Sequence, residues 1–184
     1  MARHPTIVDS AGREFALFPV SVCAFIVDPS RQFLLLRHPK RGPALEVVAG
    51  LVDQGETLVD AVLREIREEA GEALNVRPLG IFHAYSVRYD DTIPAIVSAC
   101  FLLQATNAVV ATGSDMAGSE FRWLSLDELR ERKHRIIVPE PGEGGDGVWF
   151  FERALACLDL WGDGPSATLQ PSFSQAWIEQ GGRK

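Results

Sequence analysis

Residues 50–72 read GLVDQGETLVDAVLREIREEAGE, and their spacing predicts a helix over 57–70. Thr57 and Asp60 stand at capping-box spacing, and Gly71 supplies a C-terminal stop. On a wheel advancing about 100° per residue, Glu65, Glu68 and Glu69 fall within an arc of roughly 100°. Leu58, Ala61 and Val62 occupy the same arc one or two turns earlier, while Asp60, Arg64 and Arg67 take the opposite, solvent-suited side. The three carboxylates therefore continue the apolar stripe.

That placement is costly. Glu65 and Glu69 are like charges four residues apart, which opposes the helix by about 0.2–0.5 kcal/mol. Anions in the C-terminal half of a helix lose roughly 0.3–1 kcal/mol each to the macrodipole, and burying them costs far more unless a cation compensates. Several hard oxygen donors suit Mg²⁺ or Mn²⁺, bound together with waters and substrate phosphates. The competing reading is a solvated charged face neutralised by Arg64 and Arg67. The arc shared with apolar residues speaks against it.

The rest of the chain limits what such a site can serve. With 184 residues, 46% hydrophobic and 23% charged, it suits one ordinary globular domain and neither a fibrous nor a disordered chain. A formal charge of −7 and a pI near 5.1 argue against nucleic acid and against anionic membranes, so any phosphate contact must be local. Cys23, Cys100 and Cys157 form no CxxC pair and read as buried reduced thiols. The N-terminus shows no signal-peptide pattern, and the apolar run over 16–27 is too short for a membrane span, so a cytoplasmic setting is expected.

Working outward, 7–18 predicts a small hairpin around Ser10, Ala11 and Gly12. Antiparallel strands are expected over 20–27 and 33–37, with a short strand over 45–48 and further strands over 76–87, 96–104 and 121–124. Ser125 and Glu128 open a second helix running to about Lys133, and a third spans 148–160. The expected organisation is one domain over 1–160, hairpin included, with a weakly structured or docked tail over 161–184. Interleaved strands and helices make the class α/β or α+β.

Gly50, Glu56, Arg64-Glu65, Glu68-Glu69 and Gly71, with Ile66 at the apolar position, match every fixed position of GX5EX7REUXEEXGU, and the chain thereby resembles the Nudix family. The departure is Glu72, where the pattern has an apolar residue. The resemblance covers roughly 5–158 and implies an αβα sandwich around a mixed β-sheet. It implies a nucleotide-type small-molecule substrate whose pyrophosphate is hydrolysed with Mg²⁺ or Mn²⁺, and homodimers are common among its members. It casts Glu65, Glu68, Glu69 and the Ala49 carbonyl as metal ligands, with Glu65 also orienting or deprotonating water. Glu56 and Arg64 resemble the salt bridge that shapes the loop and positions Glu65, and Gly50 and Gly55 allow its tight geometry.

Outside this box the assignments stay open. Arg37, His38, Lys40 and Arg41 either contact phosphate or line a solvated loop, and Glu46 either contacts substrate or satisfies backbone. Glu120 is preferred over Asp115 as an assisting loop carboxylate. His83, Tyr85 and Tyr89 either stack on a base or pack, and Trp123 and Trp149 are assigned to the core. The 45–56 run resembles ADP-ribose and ADP-sugar pyrophosphatases, although Val48 stands where that group has proline. Dinucleoside polyphosphates, noncanonical nucleoside triphosphates and a noncatalytic nucleotide-sensing module are the alternatives.

Overall fold

The computed structural model describes residues 5–40, 43–87, 95–113, 116–131, 136–137 and 147–161. The expectations that concern Arg41, Tyr89, Asp115, Lys133 and the 162–184 tail lie outside them.

Strand β1 (Thr6–Val8) and β2 (Glu14–Ala16) pair antiparallel as a separate hairpin, exposed throughout. The main sheet is built on β3 (Val20–Val27) and β4 (Phe33–Arg37), followed by β5 (Leu45–Glu46) and β6 (Val48–Leu51). Beyond helix α1 (Leu58–Ala70) come β7 (Val76–Val87), β8 (Ile96–Ala105) and β9 (Phe121–Leu124). Helix α2 (Leu126–Arg130), β10 (Ile136–Ile137) and helix α3 (Val148–Trp161) complete the described elements.

The sheet is mixed: β3 runs parallel to β8, and β10 to β5, while the other pairs are antiparallel. Its two faces follow strand alternation. Val22, Ala24, Ile26, Leu34, Leu36 and Val48 pack with Ala61, Val62 and Ile66 of α1. Cys23, Phe25, Phe33, Leu35, Leu45 and Val47 pack on the other face with α3 and with Leu129 of α2. The expected αβα sandwich is present.

Four local expectations need correcting. The single strand expected over 45–48 is two strands: Leu45 and Glu46 pair with β4, whereas 48–51 pair with β3. The chain turns a corner at Val47 because β3 and β4 touch only at Val27↔Phe33 and then diverge. Helix α2 ends at Arg130, with Glu131 as its C-cap. Trp161 closes α3 and does not begin a tail. Of the three thiols, Cys157 is only half-buried.

The start of α1 is built as its sequence suggests. Thr57 Oγ1 accepts the Asp60 N–H at 3.0 Å, and the Asp60 carboxylate accepts back from Thr57 N–H. Thr57→Ala is expected to cost about 1 kcal/mol. Urea denaturation should show a lower midpoint at unchanged slope; an unmoved midpoint would refute the role of the cap.

Candidate active site

Helix α1 carries its carboxylates toward the strand β6 that precedes it. Glu65 and Glu69 are each only 9% exposed, although Glu68 differs, its side chain being 38% exposed. The apolar arc thus buries two of the three expected carboxylates, and Glu68 stands at its rim.

Arg64 is not on a solvent face, and its side chain is only 20% exposed. Its Nε and Nη2 donate to the two Glu56 oxygens at 2.8 and 3.0 Å, and Nη2 also reaches the Leu51 carbonyl at 2.8 Å. Nη1 donates to Glu65 Oε1 at 2.7 Å and to Glu68 Oε2 at 3.0 Å. The wheel treats a side chain as a direction, whereas a guanidinium is long enough to bend toward acceptors on both sides of its own turn. Leu51 O was invisible to residue-type reasoning because it is a backbone atom, placed by the fold.

This network divides the charges. Arg64 holds the Glu56 carboxyl below its ordinary range, and Glu56 in turn raises the Arg64 guanidinium. Burial pushes the Glu65 carboxyl up, outweighing the opposing hydrogen bond and charge of Arg64.

Gly50 was expected to supply backbone freedom, but its requirement is space. A Cβ there would stand 1.9 Å from Glu65 Oε1 and 2.0 Å from Glu65 Cδ. Gly55, at φ +88, is the residue in this loop that needs left-handed backbone. Next to Gly50, Ala49 N–H donates to Glu69 Oε2 at 3.3 Å. Strand β6 therefore seats both buried carboxylates, Glu65 against Gly50 and Glu69 against Ala49.

The donor chemistry fits a hard divalent cation: three carboxylates from one helix beside backbone of β6, two of them buried. Among the described residues no three His, Cys, Asp or Glu side chains converge on one point. Arg64 draws Glu65 and Glu68 to itself, and Glu69 leans on Ala49.

The residues outside the box fall into separate groups. Arg37 Nη1 pairs with Glu120 Oε2 at 3.2 Å, and Arg37 N–H donates to the Glu120 carbonyl across the edge of β4. Arg37 Nε is buried without a hydrogen-bond partner. Glu46, buried, lies opposite Leu36 and so faces the α1 side of the sheet. His38 Nδ1 accepts the Lys40 N–H within a local turn. His83 and Tyr85 belong to an aromatic group with Trp149 and Phe150 on the α3 side, and Trp123 packs against the α1-side core.

The NUDIX domain family matches residues 17–141. The chain belongs to the Nudix family. Its Nudix box is the segment just described, from Gly50 in β6 to Gly71 after α1. Among curated relatives, the ADP-ribose pyrophosphatase of Methanocaldococcus jannaschii is 30% identical over 125 residues, which cover 66% of this chain and 72% of that one. The NAD-capped RNA hydrolase of Vibrio parahaemolyticus is 41% identical over 66 residues, 35% of this chain and 25% of that one. The chain thus spans about a quarter of the length of the first such relatives it matches. Among solved structures, a Nudix-family hydrolase from Clostridium perfringens superposes with a TM-score of 0.60 at 19% identity, covering 76% of this chain and 97% of that one. The MutT protein of Methanosarcina mazei Go1 gives 0.57 at 23% identity, covering 76% and 94%. These likenesses establish the Nudix fold. No helix among the described residues is long and apolar enough to cross a membrane.

Proposed function

We propose that this Nudix protein is a pyrophosphohydrolase, dependent on Mg²⁺ or Mn²⁺, that cleaves a nucleoside diphosphate linked to another moiety, with ADP-ribose or an ADP-sugar as first substrate. The observation that carries the reading is the burial of Glu65 and Glu69 side by side against β6, with a backbone seat for each. Arg64 pairs with Glu65 at 2.7 Å but is shared with Glu56 and Glu68, so a divalent cation would offset carboxylate charge that one guanidinium cannot. The substrate class is supported by the Methanocaldococcus jannaschii relative, which is named for ADP-ribose.

Glu65, Glu68, Glu69 and the Ala49 carbonyl are the groups that would hold the metal. A cation held by these groups would neutralise charge developing on the pyrophosphate and lower the pKa of bound water. Arg64 fixes the loop over 51–56 through Glu56 and Leu51 O and limits where Glu65 can swing. Glu65 orients or deprotonates the attacking water. Arg37 and Arg41 would bind phosphate, with Glu46 on the moiety beyond it. Glu120, ahead of Asp115, would assist as a loop carboxylate once substrate phosphate competes for Arg37. All five charged box positions, Glu56, Arg64, Glu65, Glu68 and Glu69, are present, which speaks against a noncatalytic sensing module.

A second reading follows from the relatives named NAD-capped RNA hydrolases. An NAD end contains an ADP-linked pyrophosphate, although a charge of −7 disfavours the RNA behind it. One screen separates these readings: ADP-ribose, ADP-sugars, NAD, NAD-capped RNA, diadenosine polyphosphates and noncanonical triphosphates, each with Mg²⁺ and with Mn²⁺. ADP-ribose or an ADP-sugar should show the highest kcat/KM, and every activity should vanish in excess chelator and return with added metal. Full activity in chelator would overturn the metal-dependent mechanism, and a preference for another substrate would overturn the substrate assignment.

A further inference from the structure

Beyond β8 the chain returns to the C-terminal end of α1. Ala111 N–H donates to the Ala70 carbonyl at 3.2 Å, and Gly113 N–H to the Glu69 carbonyl at 3.1 Å. A helix leaves its last four carbonyls without intrahelical partners, and these are two of them. The approach is backbone against backbone. A Cβ on Gly113 would meet the Glu68 carbonyl oxygen at 1.9 Å and that of Arg67 at 2.6 Å, and a Cβ on Gly71 would meet the Ala111 carbonyl oxygen at 1.8 Å. Three residues further on, Met116 is buried in the α1-side core, and its N–H donates to Gly113 O at 3.2 Å. The segment is therefore pinned at both the helix end and the core.

We propose that 111–113 is a strap that positions Glu68 and Glu69, with Gly113 as its positioning residue. The inference rests on reading those two carboxylates as metal ligands. Both sit in the last turn of α1, where a helix frays and where its exposed carbonyls repel anions. The strap's two N–H groups occupy those carbonyls, which orders the turn and offsets part of the negative end of the dipole beside the ligands. Only glycine at 71 and at 113 lets the two backbones pass this closely.

Mn²⁺ binding to the full chain without substrate, followed by titration calorimetry, tests the strap. Gly113→Ala should weaken Mn²⁺ about 10- to 100-fold, the usual loss when a group orienting a ligand is disturbed. Gly118→Ala is the control: Gly118 has φ +81 and nothing within 4 Å of an added Cβ, so the change strains the same loop without touching α1. Its Mn²⁺ affinity should match wild type; equal affinities for all three proteins, or equal losses in both variants, would overturn the strap. Should Gly113→Ala fail to fold, hydrogen exchange of the wild type replaces it. Saturating Mg²⁺ should slow exchange at the Ala111 and Gly113 amides and leave the Gly12 amide of the hairpin unchanged, whereas no slowing at 111 and 113 would overturn the proposal. A wild type that binds no Mn²⁺ would refute the ligand assignment beneath it. A wild type that binds Mn²⁺ with its strap indifferent would refute the strap alone.

Discussion

Glu69→Gln is expected to lower kcat about a thousandfold while the protein melts at or slightly above the wild-type temperature. Glu69 is 9% exposed and accepts Ala49 N–H, and glutamine keeps both the shape and an acceptor oxygen there. What is lost is one ligand charge. Charge stabilisation by a bound cation contributes several kcal/mol to phosphoryl chemistry, and a deficit of about 4 kcal/mol corresponds to a factor near a thousand. Stability should move the other way. The substitution removes a like charge four residues from Glu65 and an anion from the negative end of the helix, both of which oppose folding by a few tenths of a kcal/mol. Steady-state rates at saturating Mg²⁺ and a thermal melt without metal check both halves. A variant turning over near the wild-type rate would contradict the ligand assignment; one that fails to fold would show that Glu69 is structural.

Gly50→Ala is expected to lower kcat about a hundredfold without unfolding the protein. All three atoms that an added Cβ would meet within 2.4 Å belong to the Glu65 carboxylate, the far end of a flexible side chain. The side chain can rotate away, so the cost in stability is small. The carboxylate cannot then remain against β6 with one oxygen on Arg64. Misplacing a catalytic group by about 1 Å is enough for a loss near a hundredfold. Circular dichroism and melting should resemble wild type, and the loss should fall on kcat more than on KM. An active Gly50→Ala would mean that Glu65 works from a different position.

The two substitutions probe different kinds of information. Glu69 was legible in the sequence because its neighbours on the helix surface are fixed by i, i+3 and i+4 spacing, which needs no tertiary structure. The same holds for both capping boxes, Thr57 with Asp60 and Ser125 with Glu128, which form as their spacing suggests. Strands over 20–27, 76–87 and 121–124 were legible from apolar and β-branched runs. Val47 was not, since its corner exists only because β3 and β4 part company and β5 and β6 serve different partners.

Arg64 marks the boundary. Its pairing with Glu56 came from the family resemblance and its reach to Glu65 and Glu68 stays within the helix, yet its contact to Leu51 O depends on where the 51–56 loop lies over the helix. By itself, the sequence determined an α/β or α+β class, the helix, its caps and the carboxylates on one arc, because each follows from spacing along a regular element, whereas the αβα sandwich was implied by the family resemblance. Only the tertiary structure decided that Glu68 stays half-exposed and that Gly50 exists to make room for Glu65. It also decided that Gly113 closes the end of the helix that carries Glu69. Those are steric facts between segments distant in the chain, and no local pattern encodes how closely two backbones will pass.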